Sequence, residues 1–315
     1  MRVLFFVVAV LAALYGGYWF VGSSQVESRA RAALAQLEER GWDVAYSDLS
    51  TEGFPSRFDT TVTDLHLATP GDRVTWDAPF VQLLALSYRP NQVIAIWPPE
   101  QRLSVLGQPL DVTSDGLRAS ATVGWSTDLP LDHAVVESGP LNVTSGPGWN
   151  LSLDRVLAAI RTAGPAANSY DIYLEGQGLR SAAMAGGLEQ IRLDTQAEFA
   201  APLDRRLEGP PQLRRLTIRD IRLAQGGIAL SGSGGLAPDD QGFAAGEVTL
   251  AVENWRGLLD VLDQAGLLPL AQRAFLLALF EQLAQGRTDV SVPLTFADGR
   301  VEVLGVALLE APRLR

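Results

Sequence analysis

From Val3 to Val21 the chain is nearly unbroken in apolar side chains, and this run constrains the fold more than any other feature. A helix of about 20 such residues is long enough to cross the hydrocarbon core of a bilayer, so the rest of the chain reads as a domain held at a membrane. A cleaved signal peptide is the competing reading, but its apolar region runs about 7–15 residues and ends in a small-x-small site. Here the run is longer and closes on Tyr18, Trp19 and Phe20, aromatic residues of the kind that settle at membrane interfaces. Gly22, Ser23 and Ser24 behind them would still accept a peptidase. Only Arg2 precedes the run, whereas Arg29, Arg31 and Arg40 follow it, so counting basic residues does not place the bulk of the chain outside. Those arginines are interleaved with Glu27, Glu38 and Glu39, and the short amino-terminal tail suits an uncleaved signal anchor. The expectation is an amino terminus in the cytoplasm and a main domain outside it.

Composition removes several function classes. The net charge of −11 argues against nucleic acid as a partner, because phosphate binding relies on basic patches. It also disfavours electrostatic adhesion to anionic lipid and leaves membrane attachment to the apolar run. Cysteine is absent, which excludes disulfides and thiolate metal sites. Every basic residue is arginine, which excludes a Walker-type phosphate loop and a Schiff-base lysine. With 47% hydrophobic residues the chain can bury a core.

Past the apolar run, Val26, Ala30, Ala33, Leu34 and Leu37 recur at helical spacing, and Gly41 stands where a helix commonly stops. The expected organisation is an anchor over 1–23, a helical stalk over 24–41 and a β-rich domain over 42–315, with two similar halves meeting near 165. Strands are expected at Trp42–Tyr46, Arg57–Ala68, Phe80–Tyr88, Gln92–Trp97, Leu110–Ser114, Leu117–Val123 and Leu131–Val136. The second half continues with Tyr170–Leu179, Leu188–Phe199, Leu213–Ala224, Gly227–Gly232, Gly246–Glu253, Thr288–Phe296 and Val301–Val306. Asp115-Gly116 and Asp298-Gly299 carry the signature of tight hairpins. Helices are expected over Leu151–Ala163 and over Trp255–Gln264 with Leu270–Leu283, the latter two flanking Pro269. Thr61–Ala68 echoes Thr217–Ala224, and in both the apolar residues change phase across an Asp, which requires a face switch or a bulge. A second echo sets Val143, Trp149 and Leu153 against Val252, Trp255 and Leu258 as a strand entering a helix.

No catalytic constellation stands out. Asp48, Glu52, Asp59 and Asp64 offer oxygen ligands but lack the spacing of a calcium loop, so a turn at Gly53–Pro55 leading into a strand on which Arg57 pairs with Asp59 is the plainer reading. His66 and His133 are far apart in sequence, and neither belongs to a zinc or triad motif. Ser231-Gly232-Ser233-Gly234-Gly235 lacks the helix of a phosphate loop and reads as a hairpin tip. No cofactor is implied. Phe80–Leu86 and Val93–Trp97 are apolar on both faces, which calls for a cover on each side or a hydrophobic ligand in place of one. Phe80, Leu84, Leu86, Ile94, Ile96 and Trp97 are the candidate apolar groove.

The stretch Ala78–Trp97, together with Gly53–Asp59 and Ser114–Ser120, resembles the bacterial family of uncharacterised proteins DUF2125, and the likeness runs from the anchor to the last strand. It implies a membrane-anchored, β-rich envelope protein and carries over no activity. More loosely, Val292–Gly305 is similar to the carboxyl ends of AsmA-like envelope proteins, which implies lipid movement or outer-membrane assembly. The combined expectation is a mainly β (α+β) fold: a curled antiparallel meander sheet with a few packing helices, preceded by a transmembrane helix. The expected location is the bacterial inner membrane, single-pass, with the domain in the periplasm. The leading functional expectation is a non-enzymatic protein that binds a phospholipid or fatty acyl chain in the concavity of its sheet. A scaffold for envelope proteins is the alternative, and a hydrolase ranks below both.

Overall fold

The computed structural model describes residues 1–164, 168–182, 184–264 and 270–314. The chain opens with helix α1 (Arg2–Glu39), followed by strands β1 (Asp43–Ala45), β2 (Asp48–Glu52), β3 (Arg57–Ala68), β4 (Val74–Leu86) and β5 (Arg89–Ile96). Next come β6 (Glu100–Val105), β7 (Gln108–Ser114), β8 (Arg118–Val123), β9 (Leu131–Ser138), β10 (Leu141–Ser145), β11 (Asn150–Leu153) and β12 (Arg155–Thr162). Then follow β13 (Ser169–Ser181), β14 (Met184–Phe199), β15 (Leu213–Gln225), β16 (Ile228–Pro238) and β17 (Ala244–Glu253). Helices α2 (Trp255–Gln264) and α3 (Leu270–Ala284) precede β18 (Val290–Ala297), β19 (Arg300–Val303) and β20 (Val306–Glu310). The expected mainly β fold behind an apolar helix is therefore what the chain adopts. It divides into two compact units, the first built mainly from Met1–Trp125 and Ala134–Ser152, the second mainly from Leu153–Arg180 and Met184–Arg315. The halves' expected meeting point near 165, like Pro269, lies outside the described residues.

In the first unit α1 runs unbroken through the apolar segment and the stalk, about 57 Å at 1.5 Å per residue. It ends as the sequence suggests: Gly41 takes φ +84°, its N–H bonds the Glu38 carbonyl at 2.8 Å, and Trp42 N–H bonds Leu37 at 3.1 Å. Strand β3 is the sheet's spine. Its first edge pairs with β2 over Asp59–Thr63 and with β1 over His66–Ala68. Its second edge pairs with β4 from Arg57↔Leu86 to Ala68↔Thr75.

Strand β4 then forks: Gln82–Leu86 pairs with β5, while Val74–Asp77 pairs with β6. The split falls at Pro79, which has no N–H to give a neighbour, opposite Asp64 at φ +51°. The phase change read across Asp64 is realised here. Val62 and Leu65, an odd number of residues apart, both reach the cluster with Leu49 that Ala30 and Leu34 of α1 pack against.

The fork decides the remaining pairings. Strand β5 continues to β8, whereas β6 continues to β7 and β10. Asp115-Gly116 therefore does not close a hairpin, because β7 and β8, the strands it links, take different neighbours. Leu151–Ala163 is not a helix either; β12 pairs residue for residue with β13 from Arg155↔Gln177 to Thr162↔Tyr170, and that ladder overrides a helical spacing of Leu153, Val156, Leu157 and Ile160. The second echo fails for the same reason.

The second unit is an antiparallel meander in which β14 through β18 pair in sequence and β19 and β20 close the run. Asp298-Gly299 does form its hairpin, with φ of +50° and +70°. At the second Asp echo, Ile218 and Ile221 stand opposite Gly234 and Gly232 of β16, a bulge at Arg219–Asp220. Ser231–Gly235 is not a hairpin tip but the interior of β16. A Cβ on Gly234 would lie 2.2 Å from the Glu247 carbonyl oxygen, so only glycine permits β17 to approach this closely. Helices α2 and α3 pack Trp255, Leu259, Leu279 and Phe280 onto Val252, Val290, Val292 and Val303.

Candidate functional site

The second unit's sheet is divided sharply by face. Registry places Ile160 opposite Ile172, Ala158 opposite Leu174 and Val156 opposite Gly176. A Cβ on Gly176 would lie 3.9 Å from that of Ile191, which puts Ile191 and Leu193 on the same side. Leu223 and Ile221 face these two from β15, and Leu230 continues the row on β16. The helical cluster of α2 and α3 reaches as far as Leu230 and leaves the residues of β12–β15 outside it. There Ile160, Ile172, Ile191, Leu193, Ile221 and Leu223 are only half-buried, and Leu174 is 42% exposed. An apolar sheet face left in this state is an unusual use of surface, because burying it would stabilise the fold by about 25 cal/mol per Å².

The opposite face of the same strands is a ladder of charges. Arg161 and Arg219 both pair with Asp171, Arg219 also reaches Asp194 at 3.1 Å, Arg192 Nε donates to Asp220 at 2.7 Å and Arg222 pairs with Glu253 at 3.4 Å. Partial burial pushes the Asp171 carboxyl up, but hydrogen bonds from Arg219 and Arg161 outweigh it and hold the group below the ordinary carboxylate range. Hydrogen bonds from Gln177, against some burial, and from Tyr173 and Gln190 lower Glu175 as well. Burial first, then the bond to Glu175, raises the Tyr173 hydroxyl. These shifts come from partial burial together with ion pairs and hydrogen bonds within the ladder.

The residues expected to form a groove lie in the first unit. Phe80, Leu84 and Leu86 on β4 and Ile94 and Ile96 on β5 share one face, all half-buried, with Leu84 opposite Ile94. This stripe is two strands wide, bordered by Arg57, Asp59, Thr61 and Thr63 of β3 and by Arg118 and Ser120 of β8. Trp97 follows the end of β5, out of phase with Ile94 and Ile96. The broader apolar face of β12–β15 escaped sequence reading because a helix was expected at 151–163. The alternation Val156, Ala158, Ile160 against Arg155 and Arg161 was the signal that could have found it.

Among the aromatic residues at the end of the apolar run, Phe20 is exposed and Tyr18 half-exposed, but Trp19 is 6% exposed and turned into the domain. Its ring lies 5.4 Å from Phe54 and 6.1 Å from Phe58, and its indole N–H donates to the Arg57 carbonyl at 2.7 Å. Gly22 rests on Phe58, with a Cβ there 2.7 Å from Cζ.

At the fork of β4 an open cleft of about 580 Å³ is lined by Asp64, Asp77, Glu100, Arg102 and Asp111. Most of its charges are spent on neighbours: His66 Nδ1 meets Asp77 at 2.6 Å, Arg102 donates to Asp111 at 3.3 Å and Ser47 donates to Asp64 at 2.8 Å. Arg57 pairs with Asp59 at 3.0 Å, as the sequence suggested. Among the described residues no three His, Cys, Asp or Glu side chains are grouped to hold a metal ion. A family model described as an uncharacterized protein conserved in bacteria (DUF2125) matches residues 19–312. Neither the comparison with curated proteins nor that with solved structures finds a match.

Proposed function

The chain belongs to the DUF2125 family, and from that premise we propose that it is a non-enzymatic envelope protein, anchored in the bacterial inner membrane by α1, that binds acyl chains on the apolar face of β12–β15. One observation carries the reading: a sheet whose outer face is a salt-bridged ladder keeps its other face apolar, and α2 and α3 cover only part of it. A hydrocarbon chain laid along Ile160, Ile172, Ile191 and Leu223 removes this surface from water without needing a polar partner. Retention of α1 as an anchor is supported by its length and hydropathy, and a periplasmic domain is the orientation proposed with it. Retention is supported further by the burial of Trp19, since cleavage after Gly22 would strip Phe54 and Phe58 of their cover.

Native mass spectrometry of the full chain, gently extracted from membranes, tests the reading. A bound mass matching a phospholipid or fatty acid, lost in Ile191→Asp, is the expected result. A bare protein mass for the unaltered chain would overturn it in favour of the scaffold alternative, to be pursued by partner capture.

A further inference from the structure

Two turns of the first unit sit beside α1 at a height where lipid is expected. The Tyr18 hydroxyl donates to the Ser87 carbonyl at 2.7 Å, the Tyr15 hydroxyl meets Ser87 Oγ at 3.1 Å, and Phe20 stacks on Phe54 at 5.7 Å. From Val3 to Tyr15 a helix rises only about 18 Å, whereas the hydrocarbon core is about 30 Å thick. Sliding the helix outward to lift these turns into water would drag Arg2 into hydrocarbon, at about 2.5–3.5 kcal/mol. Tilting the helix lowers the turns further. We infer that the turns Gly53–Ser56 and Ser87–Tyr88 are immersed in the leaflet facing the domain, on the order of 10 Å deep, forming with α1 a wedge whose occupant is phospholipid. This inference rests on the anchored reading of α1.

The chemistry of the turns suits that depth. A backbone polar group left unpaired in lipid costs several kcal/mol, so a segment lowered there needs its carbonyls satisfied from within. Here Gly53 accepts from Arg57 N–H at 2.9 Å, Pro55 from Ser87 Oγ at 3.4 Å, Ser56 from Ser87 N–H at 2.9 Å, Arg57 from Trp19 and Ser87 from Tyr18. Three of these donors are side chains, two of them on α1 itself. The surface presented is apolar and aromatic: Phe54 is 57% and Tyr88 61% exposed. Just behind the turns, Arg57 and Arg89 flank Leu86 on adjacent strands; Arg57 is paired with Asp59, and Arg89 is placed for its long side chain to reach lipid phosphates.

The absence of cysteine allows a direct test. Single substitutions Phe54→Cys, Tyr88→Cys, Leu11→Cys and Leu106→Cys in the full chain are labelled with an environment-sensitive fluorophore. The proteins are then reconstituted in vesicles of phosphatidylethanolamine and phosphatidylglycerol. Labels at 54 and 88 should show blue-shifted emission, lose intensity to doxyl-labelled lipid and resist iodide, as the Leu11 site does, while Leu106, on the exposed β6–β7 turn, responds only to iodide. Ser56→Cys repeats the readout with both aromatic rings in place. Iodide access at 54, 56 and 88 with Leu11 shielded would overturn the wedge and leave the anchor standing. Iodide access at Leu11 as well would overturn both.

Discussion

Two glycines of α1 give opposite answers to the same substitution if the helix is docked on the sheet. Glycine inside a helix is about 0.8–1.0 kcal/mol less favourable than alanine, so Gly→Ala alone should stabilise. A Cβ on Gly17 meets nothing within 4 Å, and Gly17→Ala should yield that gain in full. At Gly22 the Cβ would fall 2.7 Å from Phe58 Cζ and 3.3 Å from Cε1, and Phe58 is held by Trp19 and buried. Overpacking of this kind costs about 1–3 kcal/mol, so Gly22→Ala should be neutral to destabilising by about 2 kcal/mol. The two variants should thus differ by about 2 kcal/mol, or roughly 4–8 °C in midpoint for a unit of this size. Near-ultraviolet circular dichroism of the full chain in detergent, followed through thermal unfolding, reads the difference. If Gly22→Ala raises the midpoint as much as Gly17→Ala, α1 is not packed on β3, and the burial of Trp19 falls with it.

Other outcomes follow from the second unit. Ile191→Asp should abolish co-purifying lipid at a stability cost of about 1 kcal/mol, while Arg222→Ala on the charged face leaves the lipid in place; both are read by native mass spectrometry beside chemical denaturation. Trp255, fully buried against Phe280 and donating to the Arg287 carbonyl at 3.3 Å, should cost about 3–5 kcal/mol as Trp255→Ala in urea titrations. Because Asp171 and Glu175 have lowered folded-state pKa values, their contribution is present above the ordinary carboxylate value of about 4 and is lost as pH falls through the folded values. Arg219→Ala should weaken this acid dependence and cost about 1 kcal/mol at neutral pH, measured as stability against pH.

What the sequence disclosed was local. Gly41 ended α1, Asp298-Gly299 closed a hairpin, and the phase changes across Asp64 and Asp220 marked real irregularities, because each depends on the φ or side-chain alternation of a few residues. What it concealed was the choice of partner. Asp115-Gly116 carries the same hairpin signal as Asp298-Gly299, yet the fork at Pro79 sends β7 and β8 to different neighbours. Leu151–Ala163 spaces its apolar residues like a helix, and only pairing with β13 decides otherwise. The candidate groove on β4 and β5 was legible as a pattern. The open face of β12–β15 was not, since it appears only when four consecutive strands are laid side by side, and the first of them spaces its apolar residues like a helix.

Helix α1 has no break between Arg2 and Glu39, and it is bonded into the first unit both at Trp19 and, through Arg31 to the Leu49 carbonyl at 2.8 Å, further along. A domain on a flexible tether sweeps a volume that grows with tether length. Under the anchoring proposed above, a first unit with no swivel in its mast would meet its surroundings at one height and one presentation angle. It would turn only as the anchor turns, which would make its encounters on the membrane two-dimensional in orientation as well as in position.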